Sequence, residues 1–210
     1  MASTTPLTLV IDSVSAACSV ALIDADGVVV AEAHEVVGRG HAERLVPMIG
    51  DLLAGRTPDA ILVDCGPGSF TGLRVGLAAA QGLAIGWDVP LAGYAAPALL
   101  AVMADRPGEP VTAAMQGGHG ELFVQSFDGA KLEPTDDLRS LPPEAAASVV
   151  TADLVVGSGA KQLVEARGWG EALDLLPRAA EAWRLPPPLR SLIARPIYGR
   201  APDAKPMTAA

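Results

Sequence analysis

Residues 66–72, with the sequence Gly-Pro-Gly-Ser-Phe-Thr-Gly, have the residue types of a loop that holds a phosphate group. Glycine adopts backbone angles that are closed to other residues, and Ser69 or Thr71 can cap a following helix by accepting a backbone N–H. An anion also binds readily at such a helix N-terminus. Gly66, Gly68 and Ser69 are therefore candidate nucleotide or anion contacts.

The same segment departs from the standard phosphate and nucleophile motifs. A Walker loop continues with Lys and then Ser or Thr after its last glycine, whereas Leu73 and Arg74 follow here. The dinucleotide motif needs a third glycine where Thr71 stands, and a nucleophile elbow needs glycines where Pro67 and Thr71 flank Ser69. These residues favour a loop that positions a helix, and they predict no catalytic residue.

Histidine and cysteine are too sparse to predict a metal site. The three histidines, His34, His41 and His119, are scattered, and no C-x-x-C spacing links Cys18 to Cys65. We expect both cysteines to be free buried thiols in a reducing cytoplasm. The N-terminus lacks the pattern of a secretory signal, and no apolar run reaches the length of a membrane span. The predicted location is therefore cytoplasmic.

The net charge of the 210-residue chain is −9. It argues against independent binding to nucleic acid, because affinity for a phosphate backbone depends mostly on cations. The charge is uneven: residues 186–210 hold four basic residues and one acid, a net +3, which leaves −12 on residues 1–185. This basic segment suggests an accessory contact with a polyanion, and a merely solvated tail is the alternative.

The pattern of apolar residues predicts mixed sheets with helices packed on them, as in α/β proteins. Gly and Asp residues at turns, and apolar runs of strand or helix period, mark the elements. In chain order they are three strands within residues 7–37, a helix at 41–55, a strand at 59–66, a helix at 69–86, a strand at 89–94 and a helix at 96–104.

A second start of the same pattern predicts two related domains. Strand, turn, strand and Asp-Gly follow again in residues 111–129, after a boundary at residues 105–110 that is rich in proline and charge. The predicted division is residues 1–104 for a first domain that carries partner-binding helices, 105–190 for a smaller second domain and 191–210 for a C-terminal tail.

The first two predicted helices carry more apolar surface than one core-facing stripe requires. We expect one side of each helix to pack on the sheet and the other side to meet a partner, with small residues that allow a close approach. Burial of both helices within their own domain is the alternative. The predicted interface residues are Leu45, Met48, Ile49, Leu52, Gly72, Val75, Gly76, Ala79 and Leu83.

The glycine segment and its continuation, GPGSFTGLRVGLAAAQGLA, resemble the signature of the TsaB family, bacterial proteins needed to form threonylcarbamoyladenosine in tRNA. The resemblance extends to LVIDSVSAACSVALID, HAERLVPMIGDLL, GELFVQSFDG and RPIYGRAPDAKP, and so covers most of the chain. It implies the actin-like ATPase fold, which is ribonuclease H-like, with two related domains of mixed sheets flanked by helices.

The resemblance also implies a role. The chain would be a noncatalytic subunit that binds and activates a TsaD-like catalytic subunit, which makes N6-threonylcarbamoyladenosine next to the anticodon. A TsaE-like ATPase would join the complex, tRNA would be contacted through the complex, and the chain alone would form a homodimer. No cofactor is expected to bind this chain tightly, and ATP or ADP and a metal are expected on the catalytic partner or at the complex interface. An ATP-dependent kinase-like or peptidase-like enzyme of the same superfamily, and a free nucleotide-binding module, stay open as alternatives.

Single positions limit what the resemblance carries over. Asp12, at the end of the first strand, is the residue on which the kinase-like alternative depends, and it joins the candidate nucleotide or anion contacts. The metal ligands of TsaD align with Ala96 and Leu100, neither of which binds a metal. The family commonly has Asp-Ala-Arg where residues 116–118 are Gln-Gly-Gly.

Overall fold

The computed structural model describes residues 5–199 and contains two five-stranded mixed sheets. The first sheet is built from β1 (Leu7–Asp12), β2 (Ala17–Asp24), β3 (Val29–Val36), β4 (Ala60–Asp64) and β5 (Leu91–Tyr94). Its strand order is β3-β2-β1-β4-β5, with β2 antiparallel to both of its neighbours and β4 parallel to both of its own. The apolar residues of β1 and β4 lie at the centre of this sheet, where neighbours cover them on both sides.

The second sheet repeats this arrangement. It is built from β6 (Val111–Gln116), β7 (Leu122–Phe127), β8 (Arg139–Leu141), β9 (Leu154–Val156) and β10 (Glu171–Leu173). In both sheets the first strand is central, pairs antiparallel with the second strand and pairs parallel with the fourth. This duplicated topology confirms the predicted fold class, an actin-like ATPase fold of two related mixed sheets flanked by helices.

Five α-helices accompany the strands of the described chain. They are α1 (His41–Leu53), α2 (Phe70–Trp87), α3 (Ala96–Met103), α4 (Pro143–Val149) and α5 (Ala160–Arg167). Short 3₁₀ turns occur at Gly118–Gly120, Ala179–Arg184 and Pro187–Arg190. The first three helices occupy the predicted ranges to within two residues. Within residues 5–199 no helix is both long enough and apolar enough to cross a membrane.

One apolar core joins the two sheets through α3. This helix is buried along most of its length, and it contacts β6 and β7 as well as the turn Ala179–Arg184. Leu99 and Leu100 of α3 and Phe123 and Phe127 of the second sheet belong to the same core. A smaller core lies on the other face of the second sheet, beneath α4 and α5.

The chain returns to the first sheet after the second sheet is complete. The turn Ala179–Arg184 contacts β1, β2 and β3, and its first amide donates a hydrogen bond of 3.0 Å to Ser19 Oγ. Farther along, the Ile197 amide donates to the carbonyl oxygen of Cys65 at 2.7 Å. The C-terminal segment therefore lies along the end of the first sheet that carries the glycine loop.

The domain ranges from the sequence stay a prediction. The predicted second domain runs to residue 190, whereas residues 179–197 already contact the first sheet. Residues 200–210 of the predicted tail lie outside the part of the chain that the structure describes.

Candidate functional site

The glycine segment brings α2 against the connection between β1 and β2. A Cβ atom at Gly68 would collide with the carbonyl oxygen of Val14, and one at Gly72 would collide with the carbonyl oxygen of Ser13. Two hydrogen bonds hold this approach: the Ser69 amide donates to the Val14 carbonyl at 2.7 Å, and the Ser13 hydroxyl donates to the Gly72 carbonyl at 2.8 Å. These glycines therefore make room for neighbouring backbone.

The remaining features of the loop also serve to position α2. Ser69 caps the helix, because its Oγ accepts the Gly72 amide at 3.2 Å. Gly66 has a φ of 91°, which lies in the left-handed region that favours glycine. The sequence-based interpretation of this segment as a helix-positioning loop is confirmed, with Ser69 as the capping residue.

A cavity of about 660 Å³ lies between the two sheets. Part of its wall follows the carboxyl ends of β1, β4, β6 and β9, which is where ligands bind in open α/β sheets. Among the described residues that line it, none is a lysine or an arginine, so it lacks both of the side chains that most often bind a phosphate. The lining residues are 14–16, 38, 68–70, 73, 115–119, 123, 158, 176 and 197–199.

The structure separates the four candidate nucleotide or anion contacts. Gly68 and Ser69 line the cavity, whereas Asp12 and Gly66 do not. Asp12 is fully buried, and Gly66 lies beneath the C-terminal segment, with the Ile197 carbonyl oxygen 3.1 Å from the position of a Cβ. The prediction is corrected for Asp12 and Gly66, because both are packed inside the protein and cannot touch a ligand in the cavity.

Asp12 instead forms a buried carboxyl pair with Asp64, at the carboxyl ends of β1 and β4. Asp12 Oδ2 accepts the Tyr94 hydroxyl at 2.8 Å, and Asp64 Oδ1 accepts the Gly66 amide at 2.7 Å. The other two oxygens, Asp12 Oδ1 and Asp64 Oδ2, find no donor among the described residues. Since the two carboxyl groups lie within hydrogen-bonding distance of each other, one proton held between them satisfies both oxygens.

Electrostatics favour this arrangement of one proton on two carboxyl groups. Burial raises the pKa of both groups, because the charged form loses its hydration. The pKa of Asp64 rises well above its ordinary value, since the charge of Asp12 adds to the effect of burial. At Asp12, hydrogen bonds from Asp64 and Tyr94 oppose the effect of burial on the pKa. Of the two groups, Asp64 therefore holds the proton more tightly than Asp12.

Sequence reasoning singled out Asp12 but missed Asp64 and Tyr94. Each of the three is the last residue of a strand of the first sheet. The signal in the sequence was a polar residue at or near the end of each of these predicted strands. Parallel strands bring their carboxyl ends together at one edge of a sheet, so such residues can meet there.

Helix α1 has one apolar stripe, and that stripe faces the chain's own core. Leu45, Met48, Ile49 and Leu52 are all buried there. Their spacing of three and four residues is that of a single core-facing side of an amphipathic helix. This corrects the prediction that these four residues meet a partner. Of the large apolar side chains of α1, Val46 is the one that stays exposed, at 58%.

Some of the predicted interface residues of α2 also face the interior of the protein. Gly72 packs on Ser13, and a Cβ at Gly76 would collide with Ser13 Oγ and approach Ile11. These two glycines are corrected as well, because they allow α2 to lie close to β1. The other predicted interface residues of this helix, Val75, Ala79 and Leu83, are half-buried and stay a prediction.

The exposed side of the two helices consists of other residues, which the sequence analysis missed. A Cβ at Gly50, Gly82 or Gly86 would have no neighbour within 4 Å, and Ile85 is 83% exposed. After Arg74, α2 has no charged residue. The signal in the sequence was that small and apolar residues also occupy helix positions between those of the buried stripe. We call this surface the outer helix face and define it as Val46, Gly50, Ala78, Gly82, Ile85 and Gly86.

The remaining candidate positions are placed as follows. Ala96 and Leu100 are fully buried in α3, and residues 116–118 line the cavity. Within residues 5–199, no group of three or more His, Cys, Asp or Glu side chains is arranged so that it could hold a metal ion. Cys18 and Cys65 are free buried thiols, as predicted, and burial raises the pKa of Cys18 to about 11.

Comparisons with known proteins identify relatives of this chain. A family model described as "TsaD: tRNA N6-adenosine threonylcarbamoyltransferase" matches residues 23–152. The tRNA threonylcarbamoyladenosine biosynthesis protein TsaB of Escherichia coli (strain K12) is 40% identical over 129 residues, 57% of this chain and 54% of that protein. The protein of the same name from Haemophilus influenzae is 42% identical over 88 residues, 40% of this chain and 36% of that protein. The matched part of the chain thus spans about half or less of these curated relatives.

A solved structure extends the similarity to nearly the whole chain. YeaZ from Pseudomonas aeruginosa, which is a TsaB protein, superposes with a TM-score of 0.77 at 32% identity. The alignment covers 92% of this chain and 99% of that chain, so both sheets are included. The chain therefore belongs to the TsaB family.

Proposed function

We propose that this chain is a noncatalytic subunit of the machinery that makes N6-threonylcarbamoyladenosine next to the anticodon in tRNA, and that it binds and activates a TsaD-like catalytic subunit. Its relatives in E. coli and H. influenzae carry threonylcarbamoyladenosine biosynthesis in their names. The observation that carries the proposal is the outer helix face, an exposed apolar surface of small residues on a protein of this family.

The outer helix face suits helix-on-helix packing. The open positions at Gly50, Gly82 and Gly86 let a second helix approach closely, and the Ile85 side chain can be buried between the two. Covering a side chain of this size contributes about 1.5–3 kcal/mol to association. A catalytic subunit of related fold has helices in corresponding positions, which makes it the partner we favour. Without that subunit, the same face would pair with a second copy of this chain.

The interior supports a noncatalytic role. The carboxylate of Asp12 is sealed and already engaged by Tyr94 and Asp64, so it is not available to a phosphate or a metal. The Ser69 hydroxyl, which lines the cavity, is engaged in capping α2. These observations weigh against the kinase-like and peptidase-like alternatives, because such enzymes need free catalytic groups in a cleft. We accordingly assign ATP or ADP and a metal to the catalytic partner or the complex interface, where a TsaE-like ATPase would join.

The test is reconstitution with the TsaD-like protein of the same cell. We expect a tagged form of this chain to co-purify that protein, identified by mass spectrometry, and to raise its rate of threonylcarbamoyl transfer to tRNA. A catalytic subunit that neither binds this chain nor responds to it would overturn the proposal.

A further inference from the structure

An exposed cluster of one arginine and two aromatic residues lies where α2 begins. The guanidinium carbon of Arg74 is 3.5 Å from the ring centroid of Phe70. The rings of Phe70 and Tyr198 are 6.3 Å apart between centroids, and both side chains are more than half exposed. The contact fixes the C-terminal segment against the helix, so the three groups present one preformed surface to solvent. We call it the Phe70–Arg74–Tyr198 cluster.

The Arg74 guanidinium has few partners in the part of the chain that the structure describes. Among the described residues its hydrogen bonding consists of one long contact of 3.5 Å to the Tyr198 hydroxyl. Arg167, which stacks on the exposed Trp169 in the same manner, is different. Its guanidinium donates to the carbonyl oxygens of Ala152, Asp153 and Trp169 at 2.6–2.8 Å. Arg167 therefore has a structural role, whereas most donors of Arg74 have no partner within residues 5–199 and can bind a ligand.

The position of Arg74 also favours an anion. It follows the first turn of α2, which contains no acidic residue, so its charge adds to the positive end of the helix dipole. Arg195, in the segment that leads to Tyr198, is exposed as well. Arg74 and Arg195 thus place two cations near a pair of exposed aromatic rings, on a chain with a net charge of −9. Single-stranded nucleic acid combines the two matching features, because its phosphates are anionic and its bases stack on aromatic and guanidinium planes.

We propose that the Phe70–Arg74–Tyr198 cluster contacts the tRNA directly, with an unpaired base stacked on the Tyr198 ring or the Arg74 guanidinium plane and a phosphate held by Arg74. This inference rests on the proposed function, since it supplies the RNA contact of the assembled complex. It uses the beginning of α2, whereas the outer helix face on that helix uses residues 78–86.

A photo-crosslinking experiment locates the contact. A tRNA transcript that carries 4-thiouridine is irradiated with the isolated chain at low salt and, separately, with the reconstituted complex. We expect crosslinked peptides to contain residue 70 or residue 198. Crosslinks that map only elsewhere on the chain, or no crosslink to it in either sample, would overturn the inference.

Binding measurements on variants test the roles of the residues. We expect Tyr198→Ala to weaken tRNA binding by the complex roughly five- to 150-fold, the range for loss of one stacked base. Arg74→Gln should lower the slope of log affinity against log salt by roughly 0.7–0.9, which corresponds to one phosphate contact. Trp169→Ala, which removes an exposed aromatic residue with a stacked arginine elsewhere, is the matched control and should bind tRNA normally.

The outcomes separate this inference from the proposed function. Normal tRNA binding by Tyr198→Ala and Arg74→Gln, with unchanged melting, would overturn the RNA contact. Weaker association with the catalytic subunit and unchanged tRNA binding would make the cluster a protein contact instead. If the wild-type chain does not bind the catalytic subunit at all, the proposed function fails, while crosslinks at residue 70 or 198 of the isolated chain still support the RNA contact.

Discussion

The carboxyl pair of Asp12 and Asp64 makes a prediction at the scale of single residues. Replacing Asp64 with Asn keeps an oxygen that accepts the Gly66 amide and supplies an N–H toward Asp12. This N–H replaces the proton that the two carboxyl groups share in the wild type. We expect Asp64→Asn to fold and to be at least as stable as the wild type at neutral pH. Urea unfolding followed by circular dichroism measures the difference.

The pH dependence of that difference follows from the raised pKa of Asp64. The folded chain holds this proton more tightly than the unfolded chain, whose Asp pKa is about 3.9. The stabilisation from Asp64 is therefore complete below about pH 3.9 and is lost as the pH rises through the folded pKa, at a slope of at most about 1.36 kcal/mol per pH unit. The amide does not titrate. The free energy of unfolding of Asp64→Asn should therefore increase relative to that of the wild type as the pH rises. Parallel pH profiles would contradict a shared proton.

A double variant gives a sharper test of the same pair. In Asp12→Asn the amide oxygen still accepts the Tyr94 hydroxyl, so this single change should also be tolerated. When both residues are Asn, Tyr94 and the Gly66 amide fix both oxygens, and the two NH₂ groups face each other without an acceptor. We expect the double variant to be less stable than the sum of the single effects by about 1–3 kcal/mol, the cost of a buried unsatisfied group. Additive effects would show that the two carboxyl groups act independently.

At the scale of elements, α2 has an inner side and an outer side, and one substitution can be placed on each. Gly76→Leu puts a side chain against Ser13 and Ile11, so it should lower the free energy of unfolding by about 1–3 kcal/mol through overpacking. Gly82→Leu has open space around its Cβ, so it should melt like the wild type. Thermal melts of the two variants measure the contrast.

The same pair of variants tests the outer helix face as a docking surface. A leucine at position 82 would hold the facing helix away, and an overpacked contact of about 1–3 kcal/mol corresponds to a loss in affinity of roughly five- to 150-fold. We expect Gly82→Leu to lose the catalytic subunit in co-purification and in titration while keeping its fold. Full binding by a well-folded Gly82→Leu would place the partner on a different surface.

For the whole molecule, we predict that the isolated chain forms a dimer through the outer helix face. A two-fold interface needs only one self-complementary patch, and the exposed Ile85 with its small neighbours provides one. Sedimentation should show a monomer–dimer equilibrium that Gly82→Leu shifts to monomer and that Trp169→Ala leaves unchanged. A dimer that survives Gly82→Leu would rule out this face as its interface.

The cavity between the two sheets makes a second prediction for the whole molecule. Since its described lining contains no lysine or arginine and Asp12 is sealed behind it, we expect weak ATP binding at best and no hydrolysis by the isolated chain. Calorimetry with ATP and a phosphate-release assay measure both. Micromolar affinity with turnover would favour the kinase-like alternative, and equal affinity without turnover would favour a nucleotide-binding module.

Some parts of the candidate site can be predicted from the sequence, and others cannot. The cap at Ser69 and the helix-positioning role of residues 66–72 are local, because they depend on backbone angles and on contacts within one turn. The side of α2 that faces inward is not local. Gly76 and Gly82 are the same residue type in the same apolar helix, and only the position of Ser13 beneath one of them tells the two apart.

The sequence by itself determined the order of strands and helices as far as residue 129, the repeat that gives two related sheets, and the family, because these depend on periodicity and on residue types along the chain. The strands and helices of residues 139–173 emerged only from the tertiary structure. Tertiary structure alone decided which residues that lie far apart in the sequence come into contact. It joined Asp12 to Asp64 and Tyr94, which are 52 and 82 positions away in the sequence, and it laid Tyr198 on Phe70. Such contacts depend on strand order and on the path of the returning C-terminal segment. No local pattern encodes them, since an apolar side chain buried by its own domain looks the same in sequence as one that waits for a partner.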